Sequence, residues 1–143
     1  MKIKILGLLI LTITGLSAFQ ETKYHPNRNL KNITNYYEDK KQGIEQTFYK
    51  SGKIKEITNW DNDRKNIIYH YFYENGDLRL IKYYDNNKII KTLKYYKRNK
   101  IIIEIFFNNK GEVKYGFRYK NNKKFKLNKT TITEFDFKVN YEK

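Results

Sequence analysis

Apolar and polar residues alternate along most of the chain, and short polar clusters interrupt this alternation at regular intervals. Segments rich in Ile, Tyr and Phe are separated by turn-forming residues about every 11–12 positions. The clusters occupy residues 38–41, 50–52, 61–63, 74–76, 85–87, 97–99, 108–111 and 120–122. Beyond the N-terminal leader, no segment keeps the i, i+3, i+4 spacing of an amphipathic helix. The pattern predicts an all-β fold, in which meandering antiparallel β-hairpin repeats form an extended twisted sheet.

A unit of two strands and two turns recurs along the chain. Residues 48–54 align with residues 72–78 at an offset of 24, and residues 95–101 follow at an offset of 23. A degenerate copy begins at Phe106. Repeats with periods of this size are typical of arrays in which neighbouring units bury one another's surface.

The middle hairpin can be predicted in detail from the dipeptide Asn75-Gly76. Both central residues of a type I′ turn have positive φ, which Asn and Gly tolerate. A two-residue turn here pairs Tyr73 with Leu78, Tyr71 with Leu80 and Ile67 with Tyr84 on one face, and Phe72 with Arg79, His70 with Ile81 and Ile68 with Tyr83 on the other. Because both faces carry aromatic and β-branched residues, we expect the sheet to be covered on both sides or to expose an aromatic surface on one.

The first eighteen residues have the composition of a secretory signal peptide. Lys2 and Lys4 precede an uncharged apolar run over residues 5–16, and Ser17 and Ala18 are small enough for a cleavage site. The run is short for a membrane span. Cleavage after Ser17 or after Ala18, an uncleaved anchor and a buried N-terminal element all remain open. The preferred interpretation predicts an exported protein, periplasmic, secreted or held at the cell surface, with no transmembrane span after cleavage.

The chain is thus expected to divide into four parts: a signal peptide over residues 1–18, a polar lead over residues 19–34, β-hairpin repeats over residues 35–126, and a C-terminal strand and tail over residues 127–143. There is no cysteine. Sheet hydrogen bonds and packing must therefore hold the fold together without disulfides.

The formal net charge of +15 suggests an anionic partner. Two observations weaken a nucleic-acid interpretation. Only five of the 30 basic residues are arginine, the type that contacts phosphate and guanine bidentately, and the lysines are scattered rather than concentrated in one segment. Nucleic acid is therefore a possible partner but not the favoured one, and solvated surface charge is a simpler explanation for many of the lysines.

The residues of common catalytic and metal sites are scarce. The two histidines, His25 and His70, are far apart in sequence, and the serines are Ser17 in the leader and Ser51 in a turn. The acidic turn at residues 61–63 lacks the glycine and the closing glutamate of a calcium loop. The sequence therefore predicts no catalytic residues, no metal site, no cofactor and no enzymatic activity.

The repeat resembles a known family. Tyr36-Tyr37 followed by Gly43, then Phe48-Tyr49-x-x-Gly-Lys-Ile, then Tyr73-Glu-Asn-Gly-Asp-Leu, is similar to the MORN-type repeat. More narrowly, it resembles the MORN-variant repeats of the YwqK-like antitoxin family, over about residues 36–125. The resemblance implies meandering β-hairpin sheets without an active site, and possible pairing with a toxin.

These observations favour an exported repeat scaffold that binds a protein or an anionic surface partner through an aromatic, basic sheet face. The candidate contact residues are the recurrent aromatics Tyr49, Trp60, Tyr73, Tyr84, Tyr96 and Phe107. For each of them, packing within the sheet is the competing explanation. The alternatives are an antitoxin or immunity protein and a protein that binds nucleic acid or another anionic polymer.

Overall fold

The predicted fold class is confirmed by the computed structural model, which describes residues 17–96, 100–128 and 131–132. The strands are β1 (Ala18–Tyr24), β2 (Leu30–Tyr37), β3 (Lys40–Lys41), β4 (Gly43–Phe48), β5 (Ile54–Asp61), β6 (Arg64–Phe72), β7 (Leu78–Asp85), β8 (Lys88–Tyr96), β9 (Lys100–Phe107), β10 (Val113–Lys120) and β11 (Lys123–Leu127). The predicted signal peptide lies outside the described residues, apart from Ser17 and Ala18. Within the described ranges, no helix has the length and apolarity that a membrane crossing needs.

The strands form one open antiparallel sheet in which neighbours in sequence are neighbours in space. The order is β1-β2-β4-β5-β6-β7-β8-β9-β10-β11, and the two-residue β3 pairs only with β2. Gly43, with a φ of +78°, begins β4 just after β3 ends. The residues of the predicted polar lead supply β1 and most of β2, so this segment extends the sheet.

Two kinds of turn connect the strands, and they alternate from Glu38-Asp39 to Asn86-Asn87. In the first kind, two consecutive residues both have positive φ, as type I′ turns require. These pairs are Glu38-Asp39, Asn62-Asp63, Asn86-Asn87 and Asn121-Asn122, with φ from 47° to 65°. None contains glycine. Asn and Asp enter the left-handed region at low cost because their short polar side chains bond locally.

The second kind is a longer turn in which only its glycine has positive φ. Gly76, with a φ of +92°, donates its N–H to the Tyr73 carbonyl at 2.9 Å, and the Tyr73 N–H bonds the Asp77 carbonyl at 2.8 Å. Gly52 and Gly111 are placed in the same way. This is the geometry of a type I turn followed by a left-handed residue.

The prediction of a two-residue turn at Asn75-Gly76 is therefore wrong, because the loop is one residue longer. Leu78 pairs with Phe72 instead of Tyr73, and the register shifts at Arg79. The Asn75 side chain explains the difference, because its Oδ1 accepts the Asp77 N–H at 2.9 Å and favours the longer loop. The remaining predicted pairs are confirmed, namely Tyr71 with Leu80, His70 with Ile81, Ile68 with Tyr83 and Ile67 with Tyr84.

Successive turns of the first kind bond to each other. The Lys41 N–H donates to Asp63 Oδ1 at 2.8 Å, and the Lys65 N–H donates to Asn87 Oδ1 at 3.2 Å. Each repeat thereby fixes the turn of the repeat before it, as expected for an array with nearest-neighbour interfaces.

The buried core is small and lies toward the C-terminal half of the sheet. One cluster contains Ile81 and Leu93, and a second contains Ile103, Ile105 and Ile132. Ile132 is completely buried and comes from a short helical turn after β11. The N-terminal half has no comparable apolar cluster among its described residues, so its ladder depends on polar and aromatic contacts.

Candidate binding surface

The strand register divides the side chains between two faces. Paired residues in antiparallel strands point to the same side of a sheet, and successive residues alternate. One face carries six residues that pair in turn from β4 to β9, and we call it the front face. These residues are Glu45, Thr58, Tyr69, Lys82, Thr92 and Ile105. The back face carries Gln46, Ile57, His70, Ile81, Leu93 and Glu104.

Along one edge of the front face, lysine side chains alternate with aromatic rings. Lys41 Nζ lies 4.5 Å from the centre of the Trp60 ring. Lys65 Nζ lies 5.7 Å from Trp60, 5.3 Å from Tyr69 and 5.8 Å from Tyr84. These distances fall within the range of cation–π contacts. We call Lys41, Trp60, Lys65 and Tyr84 the lysine–aromatic row.

The repeat builds this row. Lys41 and Lys65 are 24 positions apart, as are Trp60 and Tyr84. The next equivalent of Lys65 is Ile89, which pairs with Tyr84 as Lys65 pairs with Trp60. The alternation of charge and ring therefore ends at Ile89, where the front face becomes apolar toward Ile103 and Ile105.

Glu45 neutralises the first lysine of the row. Its carboxylate accepts from Lys41 Nζ at 3.0 Å, Asn32 Nδ2 at 3.1 Å, Thr34 Oγ1 at 2.9 Å and Trp60 Nε1 at 2.8 Å. Burial alone would raise the pKa of Glu45, but these hydrogen bonds outweigh it and lower that pKa below its usual range. A carboxylate held ionised in this way orients its neighbours.

Lys65 has no such partner. In the part of the chain that the structure describes, no carboxylate lies within ion-pair distance of its ammonium. The three rings around it attract the cation but do not cancel its charge. Lys65 is therefore the place where the row presents positive charge to solvent.

A second group of rings lies at the opposite end of the strands on the same face. The Arg79 guanidinium carbon is 5.1 Å from the Tyr71 ring and 5.2 Å from the Tyr73 ring. Lys55 Nζ is 6.0 Å from both Tyr49 and Tyr71. The Tyr49 hydroxyl donates to the Phe72 carbonyl at 2.6 Å, and burial raises the pKa of Tyr49. Tyr49 thus joins one repeat to the next.

The structure places five of the six candidate aromatics on the front face. Trp60 and Tyr84 belong to the lysine–aromatic row, and Phe107 packs against the Ile103 and Ile105 cluster. Tyr49 and Tyr73 belong to the second group. All five are half-buried. Tyr96 lies in β8, but its side chain is outside the described residues.

Sequence reasoning missed the residues that give the front face its charge pattern. Lys41, Lys65, Glu45 and Tyr69 were not among the candidates. The 24-residue offset between Lys41 and Lys65 would have identified the lysines as part of the repeat. Glu45 and Tyr69 are also 24 positions apart, but one is a carboxylate and the other an aromatic ring, so residue type does not mark this position as part of the repeat.

The back face carries a different arrangement. Lys124 Nζ lies 3.8 Å from the Phe117 ring, and Phe106 stacks on Tyr115 with centroids 4.6 Å apart. Glu104 accepts the Tyr119 hydroxyl at 2.8 Å and lies 3.6 Å from Lys124 Nζ. Here the lysines and the carboxylate neutralise each other.

The two histidines stay apart. His25, in the loop between β1 and β2, forms a hydrogen bond of 2.9 Å between its Nε2 and the Phe48 carbonyl. His70 lies on the back face in β6, where burial lowers its pKa. In the described ranges, no three His, Asp or Glu residues are grouped as metal ligands.

No protein-family model matches the chain, and no curated protein matches its sequence. The solved structures that match the chain include the following three. A GtfA/B complex bound to UDP and GlcNAc matches with a TM-score of 0.42 and 11% identity over 71% of this chain. Accessory secretory protein 1, 2 and 3 from Streptococcus pneumoniae matches with a TM-score of 0.33 and 19% identity over 71% of this chain. A point mutant of S. aureus TarM in complex with fondaparinux, alpha-GlcNAc-glycerol and UDP matches with a TM-score of 0.34 and 17% identity over 91% of this chain.

This chain spans only 26%, 17% and 23% of the length of those three chains. At these TM-scores the likeness supports no assignment of function. It does contradict the prediction that the chain is not an enzyme, because GtfA/B and TarM are glycosyltransferases. The prediction considered only the catalytic residue types present in this chain. In those proteins, the matching part is a minor share of a longer chain.

Proposed function

We propose that this protein is an exported repeat scaffold whose front face binds an anionic polymer of the cell surface. The observation that carries the proposal is the lysine–aromatic row, where Lys65 Nζ is held among three rings without a carboxylate to neutralise it. The predicted signal peptide supports a surface glycopolymer as the partner, since export would bring the chain to the compartment where such polymers lie.

The geometry suits a chain that crosses the strands. Neighbouring strands are about 4.8 Å apart, so equivalent residues of successive repeats recur about every 9.6 Å across the sheet. A polymer with charges at regular intervals can follow that direction and place an anionic group at Lys65, since Lys41 is already paired with Glu45. The rings below the lysines restrict their side chains, which lowers the entropy lost on binding.

Trp60 provides a direct test because it is the single tryptophan of the chain and lies within the row. We expect a sulfated glycan such as heparin to change the fluorescence of Trp60 in the full-length protein. Neutral dextran serves as the uncharged control. Affinity for heparin should fall steeply between about 50 and 200 mM salt, because binding releases counterions from the polymer.

A matched pair of variants separates the front face from general attraction by a basic protein. Lys65→Gln and Lys126→Gln remove the same charge, but Lys126 pairs with Phe117 and so points to the back face. We expect Lys65→Gln to weaken heparin binding by roughly fivefold and Lys126→Gln to have a much smaller effect. Equal losses would reject the front face as the binding surface. Tighter binding to single-stranded DNA than to the glycan would reject the glycopolymer.

A further inference from the structure

The sheet is open, so the strand at each end has one edge without a neighbouring strand. Among the strands that the structure describes, none lies beyond β1 at one end or beyond β11 at the other. The N–H and C=O groups along such an edge are a template for pairing with a strand of another chain. The two ends of this sheet differ in how they are protected against that pairing.

Strand β11 is protected by its charge, whereas β1 is not. Three of the five residues of β11 are lysines, which oppose edge-to-edge pairing because they bring like charges together. The seven residues of β1 have the sequence AFQETKY, with no proline. The charges of β1 come from Glu21 and Lys23 and cancel each other. The β1 edge is therefore the end of the sheet that a second chain can approach.

Hydrogen bonds near β1 show which of its backbone groups face outward. The Glu38 N–H donates to the Ser17 carbonyl at 3.1 Å, so the Ser17 carbonyl points toward β2. These groups alternate in direction along a strand, so those of Gln20 and Thr22 point away from β2. Asn35, which pairs with Gln20, agrees with this direction. Its carbonyl accepts at 3.0 Å from the residue between β3 and β4, on the far side of β2.

The charged side chains of β1 lie on the front face. Glu21 pairs with Thr34, whose hydroxyl bonds to Glu45 on that face. Lys23 Nζ lies 2.8 Å from Glu21 Oε2, and the Lys23 side chain is 49% exposed. Exposed ion pairs of this kind contribute little to stability. Both side chains can therefore exchange this contact for one with a neighbouring strand.

We infer that the β1 strands of two copies of this chain pair antiparallel and join their sheets in a symmetric dimer. In such a pair, residues with outward backbone groups lie opposite each other, which leaves few registers. A register centred on Gln20 places Glu21 opposite Phe19 of the second copy, and one centred on Glu21 places two carboxylates opposite each other. A register centred on Thr22 places Glu21 of each copy opposite Lys23 of the other. Opposite charges stabilise such cross-strand pairs, and like charges destabilise them, so the register centred on Thr22 is favoured.

This dimer makes one continuous surface from two front faces. Its two-fold axis is perpendicular to the sheet, so the two copies present their front faces on the same side. The inference goes beyond the proposed function, because pairing through β1 requires no polymer. Loss of heparin binding would leave it unchanged, and a monomeric protein could still bind heparin.

The first test uses a change of charge that the register predicts to be reversible. The association of the full-length protein is measured by sedimentation equilibrium at several protein concentrations. We expect a monomer–dimer equilibrium that Lys23→Glu weakens roughly tenfold, because both cross-strand pairs become repulsive. The double variant Glu21→Lys/Lys23→Glu exchanges the two charges and should restore the dimer. Lys126→Glu makes the same change of charge on β11 and should not weaken association.

The second test removes a hydrogen-bond donor from the outer edge. Thr22→Pro deletes an outward N–H, and proline is tolerated in an edge strand where its nitrogen faces solvent. We expect this variant to keep the circular dichroism spectrum of the natural protein and to remain monomeric at every concentration.

Four results would overturn the inference. The natural protein could be monomeric throughout, or the dimer could persist in Thr22→Pro, which would place the contact elsewhere in the chain. Lys126→Glu could weaken association as much as Lys23→Glu, which would show a general effect of charge. The charge-exchanged double variant could associate as weakly as Lys23→Glu alone, which would exclude the pairing of Glu21 with Lys23 between copies.

Discussion

At the scale of single residues, Glu45 shows how a buried charge can organise a polar sheet face. Its side chain is only 12% exposed, yet four donors from Lys41, Asn32, Thr34 and Trp60 satisfy its oxygens. A half-buried carboxylate with fewer partners would lose more from desolvation than it gains. Glu45 therefore fixes the positions of Lys41 and Trp60, which begin the lysine–aromatic row.

The lowered pKa of Glu45 predicts a specific dependence of stability on pH. A carboxyl group whose folded pKa lies below its unfolded value of 4.5 contributes stability above that pH. The contribution disappears as the pH falls through the folded pKa. We expect Glu45→Gln to cost roughly 1.5–3 kcal/mol at neutral pH, the range for hydrogen bonds to a charged group.

The measurement is the free energy of unfolding by urea at several pH values between about 7 and 3. The variant should lose less stability on acidification than the natural protein does. Glu38→Gln, at an exposed turn position, controls for the change in net charge. Parallel curves for the natural protein and Glu45→Gln would contradict the role of Glu45.

Gly116 is a second residue whose surroundings decide the effect of a substitution. A Cβ added there would lie 3.1 Å from the Glu104 carbonyl oxygen and 3.1 Å from Ile132 Cδ1. Glycine usually weakens a strand, so alanine would otherwise be favourable. Because the backbone oxygen cannot move away freely, we expect Gly116→Ala to lower the free energy of unfolding by roughly 1–3 kcal/mol.

The double variant Gly116→Ala/Ile132→Ala separates the two contacts. Removing the Ile132 side chain relieves one of them, so the double variant should be more stable than the sum of the single losses indicates. Thermal unfolding of the four proteins gives this coupling. Strict additivity would show that the clash with the Glu104 carbonyl alone causes the loss.

At the scale of the structural elements, the turns hold the repeats in order. Asn87 and Asn122 both occupy the second position of a type I′ turn, with φ of 65° and 59°. Glycine is well suited to that position. Asn87 also accepts the Lys65 N–H from the preceding repeat, whereas no hydrogen bond of the Asn122 side chain occurs within the described residues.

This difference predicts that the same substitution lowers stability more at Asn87 than at Asn122. Asn122→Gly should leave stability unchanged or raise it slightly, since the turn keeps its conformation. Asn87→Gly should be less stable than Asn122→Gly by about 0.5–1.5 kcal/mol, the typical contribution of a hydrogen bond. Urea unfolding of the two variants measures the difference. Equal stabilities would show that the bond between successive turns contributes nothing.

The elements also show what the sequence could and could not predict. The strands and most pairs of the middle hairpin followed from apolar alternation and from the polar clusters at residues 61–63, 74–76 and 85–87. The turn types did not follow. Asn75-Gly76 has the preferred dipeptide of a type I′ turn but forms the longer turn, because the Asn75 side chain bonds to Asp77. Asn62-Asp63 forms the type I′ turn without glycine.

The candidate surface was predictable in part for the same reason. A repeat places equivalent residues on one face whatever the register. Recurrent aromatics such as Trp60 and Tyr84 could therefore be predicted from sequence as residues of one surface. The partners of a non-repeating residue such as Glu45 depend on the register across three strands. The burial of Ile132 against Ile103 and Ile105 depends on where the short helical turn after β11 lies, and the strand pattern holds no information on that.

At the scale of the whole molecule, the sheet has few buried apolar residues and a large excess of positive charge. The described core consists of seven buried hydrophobic side chains, of which Leu80, Ile103 and Ile105 are among the least exposed. A formal net charge of +15 makes the folded chain repel itself. Stability and binding should therefore respond to salt in opposite directions.

Salt shortens the range of electrostatic interactions, from about 30 Å at 0.01 M to about 10 Å at 0.1 M. Repulsion among the lysines weakens over this range, so we expect the Tm to rise by about 2–4 °C, equivalent to roughly 1 kcal/mol. The same increase in salt should weaken heparin binding, because the attraction to the polymer is also screened. Thermal unfolding and Trp60 fluorescence titrations on one set of samples measure both. A Tm that falls with salt would mean that favourable ion pairs, such as the pair of Lys41 with Glu45 on the front face, outweigh the repulsion. The front face would then be largely neutralised by its own carboxylates and a poor surface for an anionic polymer.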